Sequence, residues 1–127
     1  MSKTILIVED EKPLRDALRY TFEAEGFEII TAGDGEEGLA KALKRKPDCI
    51  LLDIIMPKMD GMTMLKKLRE NVWGKGAKVI ALTNLSDWPY NKQAVEHNVL
   101  EYLVKSDWKM KDIVKKVREK LGLPSQG

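Results

Sequence analysis

Apolar residues in this chain fall into two patterns. The first is a set of short, mainly apolar runs over Thr4–Val8, Phe27–Thr31, Cys49–Asp53, Ala77–Leu82 and Leu100–Val104, broken only by Glu28, Lys78 and Glu101 before their ends. Runs of this kind predict strands buried on both faces of a parallel sheet. The second is a recurrence at helical spacing between them. Pro13 suits the first turn of a helix carrying Leu14, Ala17, Leu18, Thr21 and Phe22, which Gly26 stops. Asp34 caps a helix whose apolar side is Gly38, Leu39, Ala42 and Leu43, closed by Pro47. Gly61–Val72 reads as a helix with Met64, Leu65 and Leu68 as its stripe, and Gly74 and Gly76 break the chain after it. Ser86-Asp87-Trp88-Pro89 opens a fourth helix through about Glu96, and Asn98 marks a turn. Ser106-Asp107-Trp108 opens a fifth, with Ile113, Val114, Val117 and Leu121 inward. The repeated Ser-Asp-Trp reads as one capping solution used twice.

Five strands alternating with five helices predict an α/β fold: a doubly wound parallel sheet of the flavodoxin-like (βα)5 kind. Sites in such sheets lie outside the carboxyl ends of the strands, at the topological switch point. Strand order does not follow from the alternation. Residues 1–123 form the expected domain, and 124–127 a tail or the start of a linker.

Composition narrows the class. The chain has 127 residues, 43% hydrophobic and 33% charged, with a net charge of +2. That balance exerts no strong pull toward nucleic acid or membrane, so neither is expected as a direct partner. No apolar run approaches the roughly 18 residues of a membrane span, and the N-terminus does not resemble a signal peptide. Cys49 is the lone cysteine, read as a small core residue in a reducing, cytoplasmic setting.

The chemistry gathers at the strand ends. Glu9 and Asp10 follow the first strand, Asp53 ends the third, Thr83 follows the fourth and Lys105 the fifth. In a parallel sheet these ends share one edge. Two carboxylates about 4 Å apart repel by roughly 4 kcal/mol at an effective dielectric of 20. One lysine does not offset three acids, whereas a hard divalent cation does, and carboxylates with water and phosphate suit Mg²⁺. The absence of histidine and cysteine there argues against zinc. A cation, a lysine and a hydroxyl around a carboxylate form a clamp for a phosphoryl group, with Asp53 as nucleophile. Taken alone, Glu9-Asp10-Glu11 reads equally as a solvated loop.

The motifs Ile-Leu-Ile-Val-Glu-Asp-Glu at 5–11, Leu-Leu-Asp-Ile-Ile-Met-Pro at 51–57 with Asp60-Gly61, Ala-Leu-Thr at 81–83 and Tyr-Leu-Val-Lys at 102–105 resemble, in order and spacing, the receiver domain of bacterial response regulators. The resemblance covers residues 4 to about 121. It implies that Asp53 accepts a phosphoryl group from a phosphohistidine on a histidine kinase or phosphotransfer protein. It further implies that Asp10 ligates Mg²⁺ directly, that Glu9 holds it through water, and that the backbone carbonyl of Ile55 is another ligand. Lys105 pairs with Asp53 and then with the phosphoryl oxygens. Thr83 bonds the phosphoryl group, and Tyr102 turns inward as Thr83 moves. The implied output surface is the fourth helix, the fifth strand and the fifth helix, binding an unknown partner or a second copy of the phosphorylated chain.

Several positions depart from that pattern. Lys105 is followed by Ser106 where the family usually has proline, so a trans bond or a strained exception is expected. Asn84 stands where alanine or glycine is usual. Ile55 and Leu85 flank the path of an attacking water and are both apolar, which predicts slow loss of phosphate. Tyr102 also reads as a packed core tyrosine. His97 reads as a surface residue. The lysines of the last helix read as its solvated face, or as a docking face for an acidic partner. Trp88 and Trp108 are packing residues or partner anchors. Met56, Met59, Met62 and Met64 read as adaptable packing around the loop after Asp53.

The expected function is that of a signalling phosphoacceptor rather than an enzyme, acting alone or cut from a longer transcriptional regulator or hybrid kinase. No DNA-binding or enzymatic segment is recognised after residue 121. An aspartyl-nucleophile phosphatase is the rival, but Ile55 stands where a second acid is needed. A receiver working without phosphate would lack one of the acids, the lysine or the threonine, and all are present. A flavodoxin-like cofactor carrier would need amides and hydroxyls after the first strand, where this chain is acidic.

Overall fold

The computed structural model describes residues 2–53, 59, 61–83, 101–104 and 110–124; for 83 and 101–104 only the backbone is considered. Five strands, β1 (Thr4–Val8), β2 (Glu28–Ala32), β3 (Cys49–Asp53), β4 (Val79–Thr83) and β5 (Glu101–Val104), form one parallel sheet in the order β2-β1-β3-β4-β5. The described helices are α1 (Lys12–Ala24), α2 (Gly35–Arg45), α3 (Gly61–Glu70) and the C-terminal helix (Met110–Lys120). The helix expected over 86–96 lies outside the described residues.

Side-chain parity along the strands builds two cores. Leu6, Val8, Ile50 and Leu52 face one way, packing with Ala42 of α2 and Met64, Leu65 and Leu68 of α3. Ile5, Ile7, Cys49, Leu51, Ile80 and Leu82 face the other, against Leu18 and Phe22 of α1 and Ile113 and Val117 of the C-terminal helix. Both faces are therefore covered, which is why the strands carry no polar alternation. Cys49 is a buried core residue, as expected. Met62 and Met64 are buried and Met59 packs beside them. Among the described residues no helix is long and apolar enough to cross a membrane.

Element boundaries moved where local hydrogen bonds overrode the apolar pattern. Phe27, expected in β2, donates its N–H to Phe22 in the turn after α1, so it packs in the core without joining the ladder. Gly26 stops α1 as expected, at φ +93°. α2 ends at Arg45 through Lys46, in the left-handed conformation at φ 47°, one residue ahead of Pro47. α3 stops at Glu70 rather than Val72. The Asn71 carboxamide oxygen accepts from Trp73 and Gly74 N–H at 2.9 and 3.2 Å, turning the chain and leaving Val72 exposed. β4 starts at Val79 rather than Ala77, because the Arg69 guanidinium takes the Gly74 and Ala77 carbonyls at 2.6 and 2.8 Å. Leu100 lies outside the described residues, and β5 is seen from Glu101.

Candidate functional site

The strand order locates the switch point. From β1 the chain moves outward to β2, then returns to the opposite side of β1 as β3. The crevice between β1 and β3, at their carboxyl ends, is where such sheets bind ligands.

Glu9, Asp10 and Asp53 meet there. β1 and β3 pair Ile5 with Cys49, Ile7 with Leu51 and Val8 with Leu52. One further step of that register sets Glu9 beside Asp53. Glu9 shares its parity with Ile5 and Ile7, and Asp53 with Cys49 and Leu51, so both belong to the face covered by α1 and the C-terminal helix. The Glu9 N–H extends the β1–β2 ladder by donating to Ala32 at 3.0 Å, which fixes its backbone. One carboxylate oxygen from each of the three acids lies within 4.8 Å of the others. Glu9 is fully buried and Asp53 3% exposed, and Asp10 is the most accessible. Burying two carboxylates side by side is costly unless positive charge or donors meet them.

Two neighbours shape this edge. The Glu9 Oε2 accepts from the N–H of Glu11 at 3.1 Å, folding the acidic turn onto itself. Arg15, on the first turns of α1, donates from Nη1 to the Glu9 carbonyl at 2.9 Å. Sequence reasoning missed Arg15, since nothing in its spacing marks it as different from other helix cations.

The other expected positions are described in part. Thr83 closes β4 opposite Val104, and Tyr102 pairs with Ala81 in β5. Ile55, Lys105, the Lys105-Ser106 bond, Asn84, Leu85, Trp88, His97 and Trp108 lie outside the described residues.

Residues 5–118 match the response regulator receiver domain family. The chain belongs to that family. This receiver is 49% identical over 70 residues to the alkaline phosphatase synthesis transcriptional regulatory protein PhoP of Bacillus subtilis, a match covering 55% of this chain and 29% of PhoP. It spans less than half the length of that and other curated relatives it matches. A CheY-like receiver domain protein from Methanospirillum hungatei superposes with a TM-score of 0.89 at 30% identity, covering 96% of this chain and 95% of that one. A chain of the CheX–CheY–BeF3–Mg²⁺ complex of Borrelia burgdorferi gives 0.83 at 33% identity, covering 92% and 87%. The flavodoxin-like parallel sheet and the role in two-component signalling accord with the family.

Proposed function

We propose that Asp53 is the phosphoacceptor of this receiver, taking a phosphoryl group from a phosphohistidine on a kinase or phosphotransfer protein. The observation that carries the reading is a buried Asp53 at the switch point with Glu9 and Asp10 within 4.8 Å. The donor set fits a hard divalent cation: it is all oxygen, anionic, with no histidine or cysteine among its members. Glu9, Asp10 and Asp53 would hold Mg²⁺, with the Ile55 carbonyl as a further ligand. When bound, Mg²⁺ neutralises charge on the phosphoryl oxygens.

The chain's own residues do the rest. A carboxylate oxygen of Asp53 attacks phosphorus as the bond to the imidazole nitrogen breaks, and that nitrogen keeps the electron pair. The product is an acyl phosphate. Lys105 would pair with Asp53 and then with the phosphoryl oxygens, and Thr83 would donate its hydroxyl to the phosphoryl group. Tyr102 follows Thr83 as the switch, altering the surface formed by residues 86–96, β5 and the C-terminal helix for partner binding. A (βα)5 arrangement completes the fold, with its fourth helix over 86–96. Because its curated relatives are longer, the chain also reads as the receiver portion of a transcriptional regulator.

The test is intact mass after incubation with acetyl phosphate and Mg²⁺, followed by a phosphorylated kinase if the small donor fails. The parent gains one phosphoryl group; Asp53→Asn and Mg²⁺-free samples do not. No gain from either donor, or an equal gain in Asp53→Asn, refutes the assignment.

A further inference from the structure

The end of α2 nearest the carboxylates is built around Gly35. Its N–H, the first of the helix, donates to the carbonyl oxygen of Met59 at 3.0 Å. A Cβ on residue 35 would lie 2.2 Å from that oxygen and 2.9 Å from its carbon. These are backbone atoms, so no change of rotamer relieves the overlap, and only glycine admits the approach.

α2 has little room to retreat. Asp34 accepts from the Glu37 N–H at 2.8 Å, and Glu37 accepts from the Gly33 N–H at 2.9 Å. One turn on, Gly38 lies against β1, where an added Cβ would sit 2.9 Å from both Val8 methyl groups. A side chain at 35 therefore displaces the chain at Met59. Residues 54–58 alone separate Met59 from Asp53, and Gly61, two residues on, is buried at the start of α3. The Met59 carbonyl, six residues after Asp53, thus accepts from the Gly35 N–H across a gap that only a residue without a Cβ leaves open.

We propose that Gly35 is a positioning residue for the cation site, fixing through its N–H the backbone at Met59, six residues after Asp53. The proposal rests on the reading of Glu9, Asp10 and Asp53 as a Mg²⁺ site.

Mn²⁺, which favours the same oxygen ligands, serves as the probe, with free ion counted by its EPR signal. Gly35→Ala weakens Mn²⁺ binding about tenfold, the scale known for groups that orient metal ligands. Phe22→Leu, which loosens the opposite core, lowers the melting temperature and leaves affinity at the parent value. Equal affinity in the parent and folded Gly35→Ala overturns the inference and leaves the cation site standing. An equal loss in Phe22→Leu overturns it too, by tracing the effect to stability. A parent that binds no Mn²⁺, or Asp53→Asn that binds equally well, overturns the cation site and the inference with it. If Gly35→Ala does not fold, amide exchange in the parent decides. Exchange of the Gly35 N–H slows on saturation with Mg²⁺, and an unchanged rate overturns the proposal.

Discussion

Glu9 and Asp53 bring carboxylate oxygens within 4.8 Å of each other from neighbouring strands, and both side chains are buried. At that separation two unit charges repel by roughly 3 kcal/mol at an effective dielectric of 20, part of which the other interactions of both groups offset. The site therefore holds function against stability. Asp53→Asn should raise stability in EDTA by about 1 kcal/mol, because relief of the repulsion outweighs the favourable interactions that the carboxylate gives up. Mg²⁺ should raise the melting temperature of the parent and leave the variant nearly unmoved. Thermal unfolding with and without Mg²⁺ checks both, and a variant less stable than the parent in EDTA would contradict this account.

If Asp53 is the phosphoacceptor and Ile55 and Leu85 flank it as the resemblance implies, neither of these apolar side chains can orient an attacking water. Phosphorylated protein in Mg²⁺ should keep its phosphoryl group for minutes or longer. The decay of the phosphorylated mass with time is the measurement, and a half-life of seconds would sink the expectation.

Glu37 should titrate below the ordinary glutamate range. The Gly33 N–H, then the Lys41 ammonium, favour its charged form. A carboxylate depressed in the folded state contributes stability above its unfolded pKa, and that contribution is lost as pH falls through the lower, folded value. Glu37→Gln should remove this part of the acid sensitivity. Carboxyl carbon chemical shifts give the midpoint directly; a value at or above the ordinary one refutes the bond to Gly33.

Asp34 is the cap of α2, with its side chain on the Glu37 N–H at 2.8 Å. Asp34→Ala should cost about 1 kcal/mol and Asp34→Ser much less. Urea unfolding separates them, and equal losses would mean that the hydrogen bond is not what stabilises the turn.

Arg118 closes the opposite end of the molecule. It meets the Glu25 carboxylate at 3.1 Å, its side chain is 11% exposed, and its guanidinium lies 5.5 Å from the Phe27 ring centre. Arg118→Lys keeps the charge but loses the planar fork, and should cost about 1 kcal/mol. Urea midpoints unchanged between parent and variant would show that charge alone suffices.

The unbroken runs at Thr4–Val8 and Cys49–Asp53 made the sheet legible from sequence, because strands buried on both faces tolerate no polar alternation. They also placed Glu9, Asp10 and Asp53 at strand ends, and parallel strands bring such ends to one edge. The cap at Asp34 was legible for a similar reason, since it depends on residues within one turn. What pairing decides was not legible. The order β2-β1-β3-β4-β5 puts Glu9 beside Asp53 rather than at the far side of the sheet, and hydrogen bonds between strands leave no mark on the spacing of either. The same holds for Arg15 on the Glu9 carbonyl and for Gly35 against Met59. Sequence by itself determined that the candidate residues Glu9, Asp10 and Asp53 stand at strand ends, through local periodicity and charge. Only the tertiary structure decided which groups meet, because strand pairing and packing between elements bring together positions that spacing along the chain does not relate.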